Sequence, residues 1–420
     1  MRERLGLWIV LAVALGARLA VIGAAADTTF GDAADFERHA NRILADLEYP
    51  ETLFADPGGP SALRPPGFPL LLAGVFRVFG PDLDAARVVF ALLGTVSVLL
   101  LYLLVARVWG DRRLALGAAA IAAVLPSLVF LDNGLLSENL FIPLALGVAL
   151  LVAVHRDRGS WVAAAGAGAL LGLTVLTRTN GLLLALPVVL GLWGARGAAR
   201  RWAAPAIALG CLALVMAPWA VRNAIVLDRF LPLGTQGGFT IAGQWNGNAA
   251  GPGDERAEWL APPLVGAFAD LIGQPGLDEG EVDAELRSRA ITFAVEHPPV
   301  APTALFLNVQ RTFGVHIAHS ELDTIAYTEM GIPEDRWAWV RISTYALALL
   351  AIAGALVLLR ARARGLPRGP LWLWAFPVLL FAGYVVWLGT PRYRVPVDPF
   401  LALLAAIAVR TAIGARFSRG

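Results

Sequence analysis

About ten runs of apolar residues, each near the roughly 20 residues that cross a bilayer as a helix, divide this chain. In hydrocarbon, every backbone N–H and C=O must be satisfied within its own segment, and a helix does that. A soluble globule of 420 residues, 57% of them hydrophobic and 16% charged, could not hide so much apolar surface. The expected fold is therefore an all-α polytopic membrane protein of about ten transmembrane helices with extracytoplasmic juxtamembrane helices.

The runs fall near 5–25, 86–105, 114–131, 139–154, 161–177, 181–195, 203–221, 340–359, 371–388 and 395–412. Segment 64–80 is short, and prolines load its start. If it does not cross, alternate loops hold Arg107, Arg112 and Arg113, then Arg156 and Arg158, then Arg196, Arg200 and Arg201, then Arg360, Arg362, Arg364 and Arg368, then Arg416 and Arg419. That is the arginine bias of inner loops. If it did cross, every later loop would invert and the bias would vanish. Both termini are thus expected in the cytoplasm, in an inner or plasma membrane, with 64–80 on the outer side. Three parts follow: 1–221 with its outer loop 27–85, a large outer loop 222–339, and 340–420. Within the first loop, Asp35–Leu47 has helical apolar spacing and reads as an amphipathic surface helix.

The formal charge of +2 gives no reason to expect a nucleic-acid partner, and every basic residue other than histidine is arginine. The single cysteine, Cys211, excludes an intrachain disulfide and a thiolate metal cluster. No glycine-rich phosphate loop follows a strand, so a nucleotide-binding domain is not supported.

The residues suited to chemistry gather on the outer side. Asp32, Asp35, Asp132 and Glu138 supply acid; Arg64, Arg178, Arg222, Arg392 and Arg394 supply positive charge where inner-loop bias should deplete it. Arginines beside apolar spans suit an anionic head group whose tail lies in lipid, and a nearby carboxylate can act as base. Simpler roles compete. Asp35 reads as a helix N-cap, Asp132 as an ordinary turn acid before Asn133-Gly134, Ser137 as a cap with Glu138 facing the helix dipole, and Arg178 as a helix-end cation. Arg18, inside the first span, reads as snorkelling or buried at a helix contact. His316 and His319, beside Glu321 and Asp323, have a spacing that could present two metal ligands, although a polar surface loop is commoner.

The motifs resemble the GT-C superfamily of integral-membrane glycosyltransferases, in particular the bacterial branch similar to protein O-mannosyltransferases and aminoarabinose transferases. The resemblance rests on Asp32-Ala33-Ala34-Asp35-Phe36, Arg64-Pro65-Pro66-Gly67-Phe68-Pro69-Leu70 and Ser137-Glu138-Asn139-Leu140. It extends to Thr177-Arg178-Thr179-Asn180-Gly181, Pro218-Trp219-Ala220-Val221-Arg222-Asn223 and Pro391-Arg392-Tyr393-Arg394-Val395-Pro396, in that order. It implies transfer of a sugar from a polyprenyl-phosphate-sugar donor outside the cytoplasm, with Asp32 at the position taken as base and Glu138 at the second acidic position. Phe36 stands where tyrosine is usual, Asp35 is an additional carboxylate, and Thr179 replaces a commoner proline.

The expectation is an inverting glycosyltransferase with a protein, glycan or lipid acceptor. Asp32 or Asp35 would be the base, and Arg64, Arg178, Arg222, Arg392 and Arg394 would bind the donor phosphate. Tyr393, Asn223 and Gln244 are candidates for the acceptor or loop side. No cofactor is expected; metal independence is the first reading, with a divalent cation left open. The rival reading is a transporter or flippase for a lipid-linked sugar, which would put its charges near the bilayer midplane.

Overall fold

The structure is a computed structural model that describes residues 2–23, 30–55, 58–195, 201–252, 256–315, 321–363 and 369–417. His316 and His319 lie outside the described residues, as do Arg196, Arg200, Arg364, Arg368 and Arg419.

The first half contains α1 (Arg2–Ile22), α2 (Gly31–Asp46), α3 (Gly67–Phe79), α4 (Leu83–Trp109), α5 (Arg112–Val124), α6 (Pro126–Leu131), α7 (Glu138–Arg158) and α8 (Trp161–Thr177). A 3-10 turn, Thr179–Leu184, leads into α9 (Ala185–Leu192), and α10 (Ala203–Val226) follows. The later part has α11 (Gln236–Gln244), α12 (Glu279–Glu296), α13 (Val300–Thr312) and α14 (Glu321–Glu329), then α15 (Trp337–Ala363), α16 (Leu371–Trp387), α17 (Pro391–Arg394) and α18 (Asp398–Phe417). No strand occurs among the described residues beyond one isolated bridge between Glu51 and Pro60.

Among the described residues, six helices are long and apolar enough to cross a membrane: Arg4–Ile22, Leu83–Trp109, Glu138–Arg158, Ala203–Val226, Glu334–Arg360 and Pro391–Ile413. Runs 161–177, 181–195 and 371–388 give shorter apolar helices. Run 114–131 divides at Leu125–Pro126, where Leu125 is extended and the proline, having no N–H, starts a new helix. The protein is an all-helical, multi-pass membrane protein. Segment 64–80 forms α3, whose 13 residues span only about 20 Å at 1.5 Å per residue, too short for a roughly 30 Å hydrocarbon core.

Local signals set several helix ends. The Asp82 carboxylate accepts from the backbone N–H groups of Asp84 and Ala85 to start α4, and Asp111 does the same for Arg113 and Leu114 at α5. Between helices, lipid supplies no hydrophobic drive, so close packing of small residues matters. The buried face of α5 is Leu114, Ala115, Ala118, Ala119, Ala122 and Ala123, and it packs on α4, α18 and α1. α8 is held between α7 and α10, and α15 lies on α18.

Two acids differ from the simpler sequence reading. Asp132 is not an exposed turn acid: it is buried, and its Oδ2 pairs with the equally buried Arg18 Nε at 2.8 Å. Arg18 Nη1 also donates to the carbonyls of Ala14 and Ala123, tying α1 to α5 and α6. Asp35 is not a cap either. α2 begins at Gly31, with Phe30 at the cap position and no side-chain cap, so Asp35 lies one turn inside the helix. The apolar face of α2, Phe36, Ala40 and Ile43, packs on α3.

Residues 239–307 build their own small core around Trp245, Phe268, Val282 and Leu286, which extends to Trp387 at the end of α16. Asp278 and Glu281 form a capping box at the head of α12. The Glu279 carboxylate accepts from the Ala62 backbone at 2.7 Å and from the Thr235 hydroxyl, which fastens this part to the first loop. α13 packs on α16 and α17, and α14 on α2 and α17.

Candidate active site

Four helix ends and one loop bring charge to a single point. Asp32 is in the first turn of α2, Glu138 opens α7, Arg178 closes α8, and Arg392 is in α17. Arg64 comes from the Pro-rich segment before α3. Gly67, at the start of α3, lets that segment abut the end of α8: a Cβ there would stand 2.7 Å from the Thr177 hydroxyl and 2.9 Å from the Leu176 carbonyl.

Arg392 is 2% exposed and divides its guanidinium among three acids. Nη1 donates to Asp32 Oδ2 at 2.8 Å and to Glu329 Oε2 at 2.6 Å, and Nε donates to Glu138 Oε1 at 2.8 Å. Arg64 bridges the two aspartates, Nη2 to Asp32 Oδ1 and Nε to Asp35 Oδ2, both at 2.6 Å. Arg178 Nη1 pairs with Glu138 Oε1 at 2.9 Å and donates to Ser137 Oγ at 2.8 Å. Arg38 completes the chain by donating to Asp35 Oδ1. Four carboxylates thus meet four guanidiniums in one connected network.

Glu329, at the end of α14, is the acid that sequence reading missed, as it also missed Arg38. The acid lies in a polar stretch of the long loop, and neither spacing nor an adjacent apolar run marks it. Its Oε1 accepts from the Asp32 backbone N–H at 3.0 Å. Gly31 makes room: its φ is +56, and a Cβ there would lie 2.5 Å from Glu329 Oε1.

The electrostatics separate the acids. Burial pushes both aspartates up, but at Asp32 the Arg64 and Arg392 guanidiniums outweigh it, and at Asp35 His39 and Arg64 do so; both stay well below the usual carboxylate range. Glu329 goes the other way. Burial raises it, the nearby Asp32 charge adds to the rise, and its share of Arg392 does not compensate.

Aromatic faces cover the arginines. The Arg64 guanidinium lies 4.9 Å from the Phe36 ring centroid, and Arg178 lies 4.9 Å from that of Tyr393 and 6.0 Å from that of Tyr384. Phe36 gives up a hydroxyl but supplies this face.

The network borders a cavity of about 590 Å³ lined by Asp32, Asp35, Arg64, Arg178, Glu329, Arg392 and Tyr393, with Phe54, Phe239, Trp259 and Trp387 on its apolar walls. That volume suits a small-molecule or sugar-sized ligand. Other sequence candidates are spent elsewhere. Arg222 donates to the Ser61 carbonyl and stacks on Tyr49 and Trp219, and Asn223 donates to the Leu231 carbonyl. Arg394 pairs with Asp398 one turn along at 2.8 Å. Gln244 donates to the Ala257 carbonyl and accepts from Asn308. None of these four lines the cavity. Among the described residues, no group of three or more His, Cys, Asp or Glu side chains is arranged to hold a metal ion; where Asp32, Glu138 and Glu329 converge, a guanidinium stands between them.

Residues 63–221, which contain Arg64, Glu138 and Arg178, match the family model described as dolichyl-phosphate-mannose-protein mannosyltransferase. Among solved structures, the chain is similar to the archaeal oligosaccharyltransferase AglB from Archaeoglobus fulgidus in complex with an inhibitory peptide and a dolichol-phosphate. The TM-score is 0.52 at 15% identity, over 97% of this chain and 51% of that one. This chain therefore spans about half the length of the archaeal protein. It is also similar to ArnT from Cupriavidus metallidurans bound to undecaprenyl phosphate, with a TM-score of 0.46 at 14% identity, over 98% of this chain and 79% of that one. A comparison with curated protein sequences returns no match. The chain has the fold of the GT-C membrane glycosyltransferases, and its residues 63–221 match that mannosyltransferase family model.

Proposed function

We propose that this protein transfers a sugar from a polyprenyl-phosphate-sugar donor to a hydroxyl or amine acceptor, with inversion, at the extracytoplasmic face. The observation that carries the reading is the cavity in which Asp32 is held between Arg64 and Arg392. The likeness of fold to the archaeal oligosaccharyltransferase, the dolichol-phosphate bound there and the family model matched by residues 63–221 support the donor class. Arginine-rich inner loops and charge gathered at one end of the helices support the face.

In this reading the acceptor heteroatom attacks the anomeric carbon. Its proton goes to Asp32, and the bond between the anomeric carbon and the phosphate oxygen breaks. The electron pair leaves with polyprenyl phosphate. A phosphodiester donor carries one negative charge and the departing monoester gains a second, which Arg64, Arg178 and Arg392 stabilise. No general acid is needed for such a leaving group, and no step is assigned to a metal.

The geometry also couples donor binding to basicity. Free Asp32 is a weak base because two guanidiniums hold it ionised. A donor phosphate competes for Arg64 and Arg392, weakens their hold, and raises the proton affinity of Asp32 when the substrate is present. Residues 1–221 would then contribute Asp32, Arg64, Glu138 and Arg178, residues 222–339 would close the cavity, and 340–420 would add Arg392.

The test is Asp32→Asn in sugar transfer from purified polyprenyl-phosphate sugars. Removing a positioned base should cost on the order of 10²–10⁴ in rate. A near wild-type rate would sink the assignment.

A further inference from the structure

Asn180, Tyr384 and Thr390 line the cavity, and the amide of the first and the hydroxyls of the other two have no role so far. Asn180 follows Arg178 by two residues, and Thr390 precedes Arg392 by two, so they flank the arginines that face the cavity. Thr390 and Tyr384 are only 2% and 4% exposed. The Tyr384 hydroxyl lies within reach of a weak hydrogen bond with the Asn180 side chain. Beyond that contact, the Tyr384 hydroxyl, the Thr390 hydroxyl, and the Nδ2 and Oδ1 of Asn180 are buried with no well-formed hydrogen bond among the described residues. Arg178 Nε is in the same condition.

Buried polar atoms are almost always satisfied, and leaving them open costs free energy. Four such atoms on one wall of one cavity are best explained by a ligand that completes them. The chemistry of the set narrows the ligand. A phosphate offers only acceptors and would call for donors alone. Here the amide carbonyl of Asn180 can only accept, its NH2 can only donate, and the two hydroxyls can do either. That mixture matches vicinal sugar hydroxyls, each of which also donates and accepts.

We infer that Asn180, Tyr384 and Thr390 form the subsite that holds the hydroxyl groups of the donor's sugar, beside the arginines that hold its phosphate. This rests on the glycosyltransferase reading above and adds which part of the cavity reads the sugar. It makes these three residues the determinants of sugar specificity.

The experiment compares the affinity of the purified full-length protein for undecaprenyl phosphate and for undecaprenyl phosphate bearing mannose, glucose, galactose or arabinose. It uses the wild type, the near-isosteric variants Tyr384→Phe and Thr390→Val, and the truncation Asn180→Ala. The wild type is expected to bind at least one sugar-bearing lipid more tightly than the bare one. Each variant should lose about 3- to 10-fold of that advantage, the usual value of one hydrogen bond, with bare-lipid affinity unchanged. Retained bare-lipid binding also shows that the variant is folded. If the wild type binds every lipid equally, or if the variants weaken bare and sugar-bearing lipid together, the subsite is overturned. If the wild type binds neither kind of lipid, the glycosyltransferase reading itself falls, and the subsite with it.

Discussion

Arg392 and Asp32 are 360 positions apart in the chain, yet Nη1 of the first donates to Oδ2 of the second at 2.8 Å. The same guanidinium holds Glu138 and Glu329. One cation therefore joins the first long loop, the head of α7, the later long loop and the last membrane segment.

Removing that cation should be costly. Arg392→Met leaves Glu138, which is fully buried, with Arg178 alone, and stripping one partner from a buried charge network costs about 3–5 kcal/mol. Arg392→Lys keeps the charge, but one ammonium cannot reproduce a planar fork that reaches three acids. We expect a large drop in melting temperature for the methionine variant. For the lysine variant we expect a smaller drop and a rate loss on the order of 10²-fold. Thermal unfolding in detergent and transfer assays measure the two. A lysine variant with full activity would show that the three-way hold is dispensable.

The two aspartates should part company on substitution. Both oxygens of Asp32 face guanidiniums that border the cavity, whereas Asp35 also binds Arg38 and His39 within its own helix. Asp35→Asn is expected to act on stability and on the position of Arg64, with a rate loss below about 10-fold; Asp32→Asn should lose on the order of 10²–10⁴. Equal losses would overturn the distinction, and the reverse order would move the base to Asp35.

Glu329 gives a pH signature of opposite sign to Asp32. A raised folded value means that the folded state holds a proton that the unfolded state has released, so this residue's contribution to stability declines as pH rises through the folded value. Asp32 is depressed. Its contribution is present above the ordinary aspartate range and is lost only as pH falls through its low folded value, so it stays constant between pH of about 5 and about 8. The melting-temperature advantage of wild type over Glu329→Gln should therefore shrink as pH rises across that window. An advantage that grows with pH would contradict the assignment.

Arg18 and Asp132 make a buried pair within the helix bundle, away from the large cavity. Arg18→Met or Asp132→Leu alone should destabilise by about 3–5 kcal/mol, because each strands a charge; the double variant should recover most of that loss. A double-mutant cycle read by thermal unfolding decides it. Additive losses would mean the pair contributes nothing as a pair.

The membrane-helix character was legible because apolar runs near bilayer length leave few other solutions. Arg64, Glu138, Arg178 and Arg392 stood out because charge at the end of an apolar run is conspicuous. Yet Arg222 and Arg394 stand out in the same way and are consumed by a carbonyl and an aromatic pair in one case, and by Asp398 in the other. The arginines of both groups share residue type and a place beside an apolar run; only packing separates them. Glu329, Tyr384 and Thr390 carried no local signal, and Asn180 only its place in the motif around Arg178, because what distinguishes them is the cavity they face. By itself the sequence determined that helices form, roughly where they end, and which ends carry charge, since those follow from backbone satisfaction in hydrocarbon and from helix capping. Which charges meet was decided only by the tertiary structure, because bringing Asp32, Glu138, Glu329 and Arg392 within hydrogen-bonding reach depends on how α2, α7, α14 and α17 pack across the whole length of the chain.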